Sequence, residues 1–191
     1  MGGAIAIQSD DTLIENCNFK NNAAEGPIFT DNNGNQRKPS GGAIGFIGGN
    51  NCTVNNCNFT GNNAAYNGGA IGTINANAIN LTISNCIFIN NTAEDGGSIY
   101  TSGPNGIVDK CQFTENTATG NGNKNGGGAI YWTGANGTVK DSNFTGNNAT
   151  SRGGAIYLRG DSPNIVDSNF YNNSALGYRG VHYSLNAIME M

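Results

Sequence analysis

The chain has little charge, few aromatic residues and no long hydrophobic run. Charged residues make up 12% of its 191 residues and aromatic residues 8%, and it contains one histidine. Lys and Arg total nine, never cluster, and leave a net charge of -4, which argues against a nucleic-acid-binding groove. No apolar run reaches the roughly 18 residues that a membrane span requires. We therefore expect no nucleic-acid partner and no direct membrane insertion.

Glycine and asparagine dominate the polar part of the chain. There are 30 glycines and about 35 asparagines, which are small, neutral, turn-forming residues. Such a composition could indicate disorder, but Ile, Val and Phe recur here at fixed places, and disordered chains are poor in β-branched and aromatic residues. We expect residues 1–191 to form a single folded domain.

Two blocks of sequence each occur six times. The first is a glycine pair followed by Ala-Ile or Ser-Ile, and we number six repeat units from its first glycine: Gly2, Gly41, Gly68, Gly96, Gly127 and Gly153. The second block is Cys or Ser, any residue, then Phe, with Asn three residues after the Phe and Ala five residues after it. Self-similarity at a period of this size is the signature of a repeat architecture.

Side-chain parity locates strands and bends within a unit. Residues two apart in a strand share a face, so Cys111 and Phe113 point the same way. Val108 lies three residues before Cys111 and would point the opposite way in a continuous strand. A corner between Val108 and Cys111 would let all three side chains point inward. The corner residues are Asn16, Asn56, Asn85, Lys110, Asp141 and Asp167. Asn and Asp tolerate left-handed backbone angles best among non-glycine residues. Each unit is therefore interpreted as three short strands, and the sequence predicts an all-β parallel β-helix, or solenoid, of about six coils with a partial coil at 179–191.

Stacked units should place equivalent residues above one another as ladders. The predicted isoleucine ladder is Ile44, Ile71, Ile99, Ile130 and Ile156, and the phenylalanine ladder is Phe59, Phe88, Phe113, Phe144 and Phe170. The asparagine ladder is Asn62, Asn91, Asn116, Asn147 and Asn173, and the cysteine ladder is Cys57, Cys86 and Cys111, with Cys17 above them.

The cysteine column lacks the spacing of a zinc site, and we predict no metal or other cofactor. Stacked, buried thiols that behave as small hydrophobic groups are the favoured interpretation. A disulfide between neighbouring units is the alternative, although its side chains would have to leave their parallel register.

Tyr100, Tyr131 and Tyr157 are the candidate ligand-binding residues. Each follows an inward isoleucine and should point outward, in a vertical row that Tyr183 would extend. Exposed aromatic rings can stack on sugar rings, and the alternative is a cross-strand ladder that only stabilises the sheet. Insertions at 25–40 and 119–125 add loops to one edge, a second place for binding.

Catalysis is not predicted. Asp141 and Asp167 stack in neighbouring units, but they occupy the corner column, where three other units carry Asn, so a turn-forming role is favoured over a pair of catalytic carboxylates. The single histidine, His182, has no evident triad partner.

The combination of Gly-Gly-Ala-Ile with Phe-x-x-Asn resembles the repeat of chlamydial polymorphic outer-membrane proteins and of large adhesin-like surface proteins of bacteria and methanogenic archaea. The resemblance covers Gly2 to about Ala175. It implies a right-handed β-helix that is displayed at a cell surface and used in adhesion.

We accordingly expect an extracellular or cell-surface segment of a longer protein, with the export signal and the anchor outside this chain. Its partner would be a surface glycan or a protein receptor. The alternative is a structural subunit that stacks end to end on further copies or adjacent repeats of itself, as a filament or sheath. A polysaccharide-active enzyme is the least favoured hypothesis.

Overall fold

The fold is that of a computed structural model, which describes residues 2–30, 34, 36–74, 78–123 and 125–177. These residues form four parallel six-stranded sheets and one small antiparallel hairpin, and they contain no helix. Each repeat unit contributes one strand to each parallel sheet, and every strand pairs in register with its equivalent in the next unit. The predicted parallel β-solenoid is confirmed. The predicted partial coil at 179–191 lies outside the described residues.

We name each of the four sheets after a residue that recurs on its inward face. The isoleucine sheet contains Ile5–Ile7, Ile44–Phe46, Ile71–Thr73, Ile99–Thr101, Ile130–Trp132 and Ile156–Leu158. The valine sheet contains Leu13–Glu15, Thr53–Asn55, Thr82–Ser84, Ile107–Asp109, Thr138–Lys140 and Asn164–Val166. The phenylalanine sheet contains Asn18–Lys20, Asn58–Thr60, Ile87–Ile89, Gln112–Thr114, Asn143–Thr145 and Asn169–Tyr171. The alanine sheet contains Ala23–Ala24, Asn63–Ala64, Thr92–Ala93, Thr117–Ala118, Asn148–Ala149 and Ser174–Ala175.

The predicted number of strands per unit was wrong, because each unit has four strands and not three. The predicted corner before the Cys or Ser column has left-handed φ in all six units, for example 53° at Lys110 and 50° at Asp141. A second left-handed corner follows two residues after each Phe, at Asn21, Gly61, Asn90, Glu115, Gly146 and Asn172. It separates the phenylalanine sheet from the two-residue strands of the alanine sheet. Two further left-handed corners, at the first glycine of each pair and before each valine-sheet strand, complete a four-sided unit.

The apolar core consists of aligned columns that run through all the sheets. Ile44, Ile71, Ile99 and Ile130 are fully buried, and Ile156 is half-buried. The rings of Phe19, Phe59, Phe88, Phe113, Phe144 and Phe170 stack with centroids 4.7 to 4.9 Å apart and nearly parallel planes. This spacing matches the distance between neighbouring strands, so one inward column becomes a continuous aromatic stack.

A buried ladder of amides runs beside the phenylalanine stack. Asn62, Asn91, Asn116 and Asn147 are completely buried, each one repeat from the next. Asn91 Nδ2 donates to Asn116 Oδ1 and to the Phe59 carbonyl, both at 3.0 Å, and Asn91 Oδ1 accepts from the backbone N–H and Nδ2 of Asn62. Since a buried polar group without a partner is costly, this complete pairing is what allows an amide in the core.

Trp132 is the largest departure from the repeat pattern in the core. Its indole N–H donates to the Gly103 carbonyl at 3.3 Å. A Cβ at Gly106 or Gly137 would lie 2.7 or 2.6 Å from atoms of this ring. Only glycine therefore fits at these two positions beside Trp132.

Candidate functional site

The candidate site lies on the outer face of the isoleucine sheet. One column of this face consists of Ala6, Gly45, Gly72, Tyr100, Tyr131 and Tyr157, paired in register across the six strands. The Tyr100 and Tyr131 rings meet edge to face with centroids 5.3 Å apart, and Tyr131 and Tyr157 stack at 5.0 Å with an interplanar angle of 20°. These three residues form one aromatic row, which we call the tyrosine row.

The tyrosine row is less exposed than the sequence predicted. Tyr131 is only 3% exposed, whereas Tyr100 and Tyr157 are half-buried. Tyr131 is covered because it lies between two rings and under the side chain of Arg159. Burial raises the pKa of both Tyr100 and Tyr131. A ligand on this face would therefore contact Tyr100 and Tyr157 and not the Tyr131 ring; Tyr183 lies outside the described residues.

Two arginines lie over the tyrosine row. Arg159 Nη1 donates to the Tyr131 hydroxyl at 3.0 Å, and Arg152 Nη1 donates to the Tyr157 hydroxyl at 3.1 Å, with the Arg152 guanidinium carbon 6.0 Å from the Tyr157 ring centroid. Both arginines are exposed. Neither guanidinium is within 4.0 Å of a carboxylate among the described residues, and the hydrogen bond to Tyr131 raises the pKa of Arg159. The row therefore carries two cations with no acidic partner in this part of the chain.

Asp95 anchors the insertion at 119–125 beside the Tyr100 end of the tyrosine row. Its side chain is buried, and Oδ1 accepts from Asn125 Nδ2 at 2.9 Å and from the Gly126 backbone N–H at 3.1 Å. Burial raises the pKa of Asp95 to about 6, although these two hydrogen bonds oppose the shift. Asp95 is thus a structural acid that is partly protonated in mildly acidic solution.

The insertion at 25–40, predicted only as a loop, contains an antiparallel hairpin of Phe29–Thr30 and Gln36–Arg37. A hollow of about 170 Å³ lies beside it, lined by Gln36, Lys38, Ser40, Asn67 and Ile74. Below the hollow the outer column changes from tyrosine to glycine, because a Cβ at Gly72 would lie 2.7 Å from the Asn67 carbonyl oxygen. The two glycines in the column were visible in the sequence, but the hairpin beside them was not.

The thiols of the cysteine column form hydrogen bonds, so the column is not the purely hydrophobic ladder that the sequence favoured. All five cysteines are free thiols, and Cys57, Cys86 and Cys111 are buried. Cys57 Sγ donates to the Asn55 carbonyl at 3.1 Å and accepts from the Cys17 backbone N–H at 3.4 Å. Ser142 Oγ makes the equivalent two bonds, to the Lys140 carbonyl and from the Cys111 N–H. Burial raises the pKa of Cys57 to about 11, so this thiol remains a protonated donor.

The remaining polar groups have structural positions. Asp141 and Asp167 have φ of 50° and 47°, so both form left-handed corners, the role that the sequence favoured for them. Lys140 and Asp109 form an ion pair at 3.6 Å. Within the described ranges no three His, Cys, Asp or Glu side chains gather as a metal site would require. His182 lies outside those ranges.

Comparison with known proteins identifies the repeat. Residues 85–102 and 141–159 match the family model described as the Chlamydia polymorphic membrane protein repeat. The chain carries this repeat. Each polymorphic membrane protein match runs from a left-handed corner through the Phe block into the following isoleucine-sheet strand, and the two matches include Tyr100 and Tyr157. The resemblance seen in the sequence is confirmed at these two sites.

The search of curated proteins and the search of solved structures each gave no match. In the part of the chain that the structure describes, no helix is long and apolar enough to cross a lipid bilayer.

Proposed function

We propose that this chain is an adhesin-like segment of a cell-surface protein, which attaches to a glycan or protein receptor through the outer face of the isoleucine sheet. The observation that carries the proposal is the polymorphic membrane protein repeat at two sites of a parallel β-solenoid, since this repeat belongs to a family of outer-membrane surface proteins. We further propose that the chain winds in a right-handed sense through six coils and that it acts outside the cell.

The chemistry of the outer faces supports this choice of surface. The outer face of the phenylalanine sheet presents mainly short polar residues, such as Asn58, Gln112 and Asn143. The isoleucine sheet presents two half-buried tyrosine rings, two exposed arginines and a hollow in line with them. Aromatic rings and arginines are the residues that most often dominate binding energy at recognition surfaces.

We also propose that the segment is not an enzyme. Asp141 and Asp167, which occupy neighbouring units, stand in the corner column, where Asn serves the same purpose in three other units. A glycosidase requires two carboxylates on either side of a substrate, and two residues of one stacked column do not supply that arrangement.

Glycan-array binding of the purified chain tests the proposal. Wild type should bind a defined set of glycans, and Tyr157→Ala should weaken that binding at least tenfold because a half-exposed stacking ring is removed. Tyr171→Ala is the matched control, since Tyr171 is 65% exposed on the phenylalanine sheet, away from the row. Equal losses in the two variants, or no loss in either, would show that the tyrosine row is not the attachment surface.

End-to-end assembly is the second candidate, favoured by the first rung of the amide ladder. Asn22 donates its backbone N–H and Nδ2 to Asn62 Oδ1, but its own Oδ1 accepts no hydrogen bond from the described residues. A further repeat stacked on this rung would supply the missing donors, whether it belongs to the same protein or to a second copy, and in the second case head-to-tail stacking builds filaments. Light scattering over a concentration series should then show growth, and a monomer that persists at high concentration would rule this candidate out.

A further inference from the structure

We infer that the tyrosine row, together with Arg152 and Arg159, forms a subsite for an anionic sugar, one whose ring carries a carboxylate or a sulfate group. The inference rests on the proposed glycan attachment and adds the chemical class of the ligand. Three features support it: the state of the two arginines, the aromatic surface between them, and the position of the buried acid Asp95.

The two arginines are available to an anion. The chain is acidic overall, with 13 acidic residues against nine Lys and Arg, yet neither guanidinium forms an ion pair with a described carboxylate. Toward the described residues each makes one hydrogen bond, from Nη1 to a tyrosine hydroxyl, and its other N–H groups have no partner in this part of the chain. The planar guanidinium fork matches the two oxygens of a carboxylate or sulfate, and holding it in place beforehand reduces the entropy lost on binding.

The ring surface between the arginines suits a sugar. Tyr157 is half-buried and stacks on Tyr131 at 5.0 Å, so its ring is fixed and keeps part of its surface in solvent. An aromatic ring of this kind can pack against the apolar face of a sugar while its hydroxyl stays in the polar network. A sugar on Tyr157 would then have its charged substituent within reach of both guanidinium groups.

The buried acid Asp95 lies at the opposite end of the row. Asp95 belongs to the column that precedes each glycine pair, and in that column Asp95, Gly126 and Arg152 occupy successive units. With strands about 4.8 Å apart, Asp95 is roughly 10 Å from Arg152 along the solenoid axis. The row therefore changes from acidic beside Tyr100 to basic beside Tyr157, which places the anion at the Tyr157 end.

Binding of paired oligosaccharides tests the inference. The probes are a sulfated oligosaccharide and a uronate-bearing oligosaccharide. The affinity of the whole chain for each probe is compared at low salt with its affinity for the uncharged parent of that probe. Wild type should prefer at least one charged probe to its parent by tenfold or more. Arg159→Gln and Arg152→Gln should each reduce that preference several-fold, because each weakens binding of the charged probe more than binding of its uncharged parent. Lys20→Gln makes the same charge change on an exposed residue of the phenylalanine sheet and should leave the preference intact.

The outcomes separate the inference from the proposed function. A preference for either the sulfated or the uronate probe that depends on the arginines supports the inference and identifies the source of the charge. Equal binding of charged and uncharged probes overturns the inference while glycan attachment stands, and so does a preference that survives both arginine substitutions. Binding of no oligosaccharide at all overturns the inference together with glycan attachment. Circular dichroism of each variant confirms that the β-solenoid has formed.

Discussion

Replacement of Asn116 by alanine removes one rung of the buried amide ladder. Asn116 is completely buried, and its Nδ2 donates to Asn147 Oδ1 at 2.9 Å and to the Phe88 carbonyl at 3.0 Å. Its Oδ1 accepts from both the backbone N–H and the Nδ2 of Asn91, each at 3.0 Å. Asn116→Ala therefore leaves the Asn91 N–H and one Asn91 Nδ2 hydrogen without partners in a dry core, and the Phe88 carbonyl loses one of its donors.

The expected loss of stability follows mainly from the two orphaned donors of Asn91. Each buried polar group that loses its partner costs about 1–3 kcal/mol, so the sum is about 2–6 kcal/mol. Local relaxation and entry of water favour the lower part of this range, and we expect a loss of about 3 kcal/mol in the free energy of unfolding, measured by guanidinium chloride denaturation.

The matched control is Asn143→Ala, on the phenylalanine sheet of the next unit. Asn143 is exposed, and its side chain accepts one bond from Asn169 Nδ2 at 3.0 Å. We expect this change to cost less than about 1 kcal/mol, because water replaces the lost partner. A loss below about 1 kcal/mol for Asn116→Ala, or equal losses in the two variants, would refute the account of the ladder.

Three further substitutions test other features. Burial raises the pKa of Asp95 in the folded state to about 6, above the ordinary value of an aspartate, so the folded state binds the proton more tightly. Asp95 therefore adds stability as the pH falls from about 7 to below 4. Because part of the carboxyl still meets solvent, Asp95→Asn should raise the stability at pH 7.5 by about 1–2 kcal/mol. The gain should shrink at pH 4.5, and an equal melting-temperature shift at both pH values would contradict the assignment. Lys110→Asn should stabilise by about 0.5–1 kcal/mol in denaturant titrations, because Asn adopts a φ near 53° more readily than Lys, and Lys110→Ala should bring no such gain. Cys57→Ser should retain both hydrogen bonds of that column, whereas Cys57→Ala should lose about 1–2 kcal/mol more, since alanine offers the Cys17 N–H no acceptor; equal losses would disprove the hydrogen-bonding role.

The repeat columns predicted the parts of the fold that depend on alternation within a strand. Parity between Val108, Cys111 and Phe113 located one corner, and the structure has left-handed φ there in every unit. The second corner escaped notice because its column mixes residue types, with Glu115 and Gly146 in neighbouring units. The strand that follows it is only two residues long, too short for alternation to show.

The candidate site was predicted in outline, and its details depend on contacts between units. Successive tyrosines after an inward isoleucine predicted an aromatic row on the outer face, and such a row is present. The burial of Tyr131 depends on Arg159, which comes from the following unit, 28 residues further along the chain. The hollow near Gly72 depends on how the insertion at 25–40 packs, and no repeat column records that.

The space that Trp132 occupies bears on how the units find their correct neighbours during folding. The stacks of Phe and Asn are the same in every unit, so a chain that skipped one unit while pairing would lose little from those columns. The place of Gly106 and Gly137 is taken by Cys52 and Leu81 in two earlier units, and there the Trp132 ring would collide with a side chain. Trp132 thus penalises misaligned pairings that the regular columns would tolerate, and an irregular residue sets the order of an otherwise uniform stack.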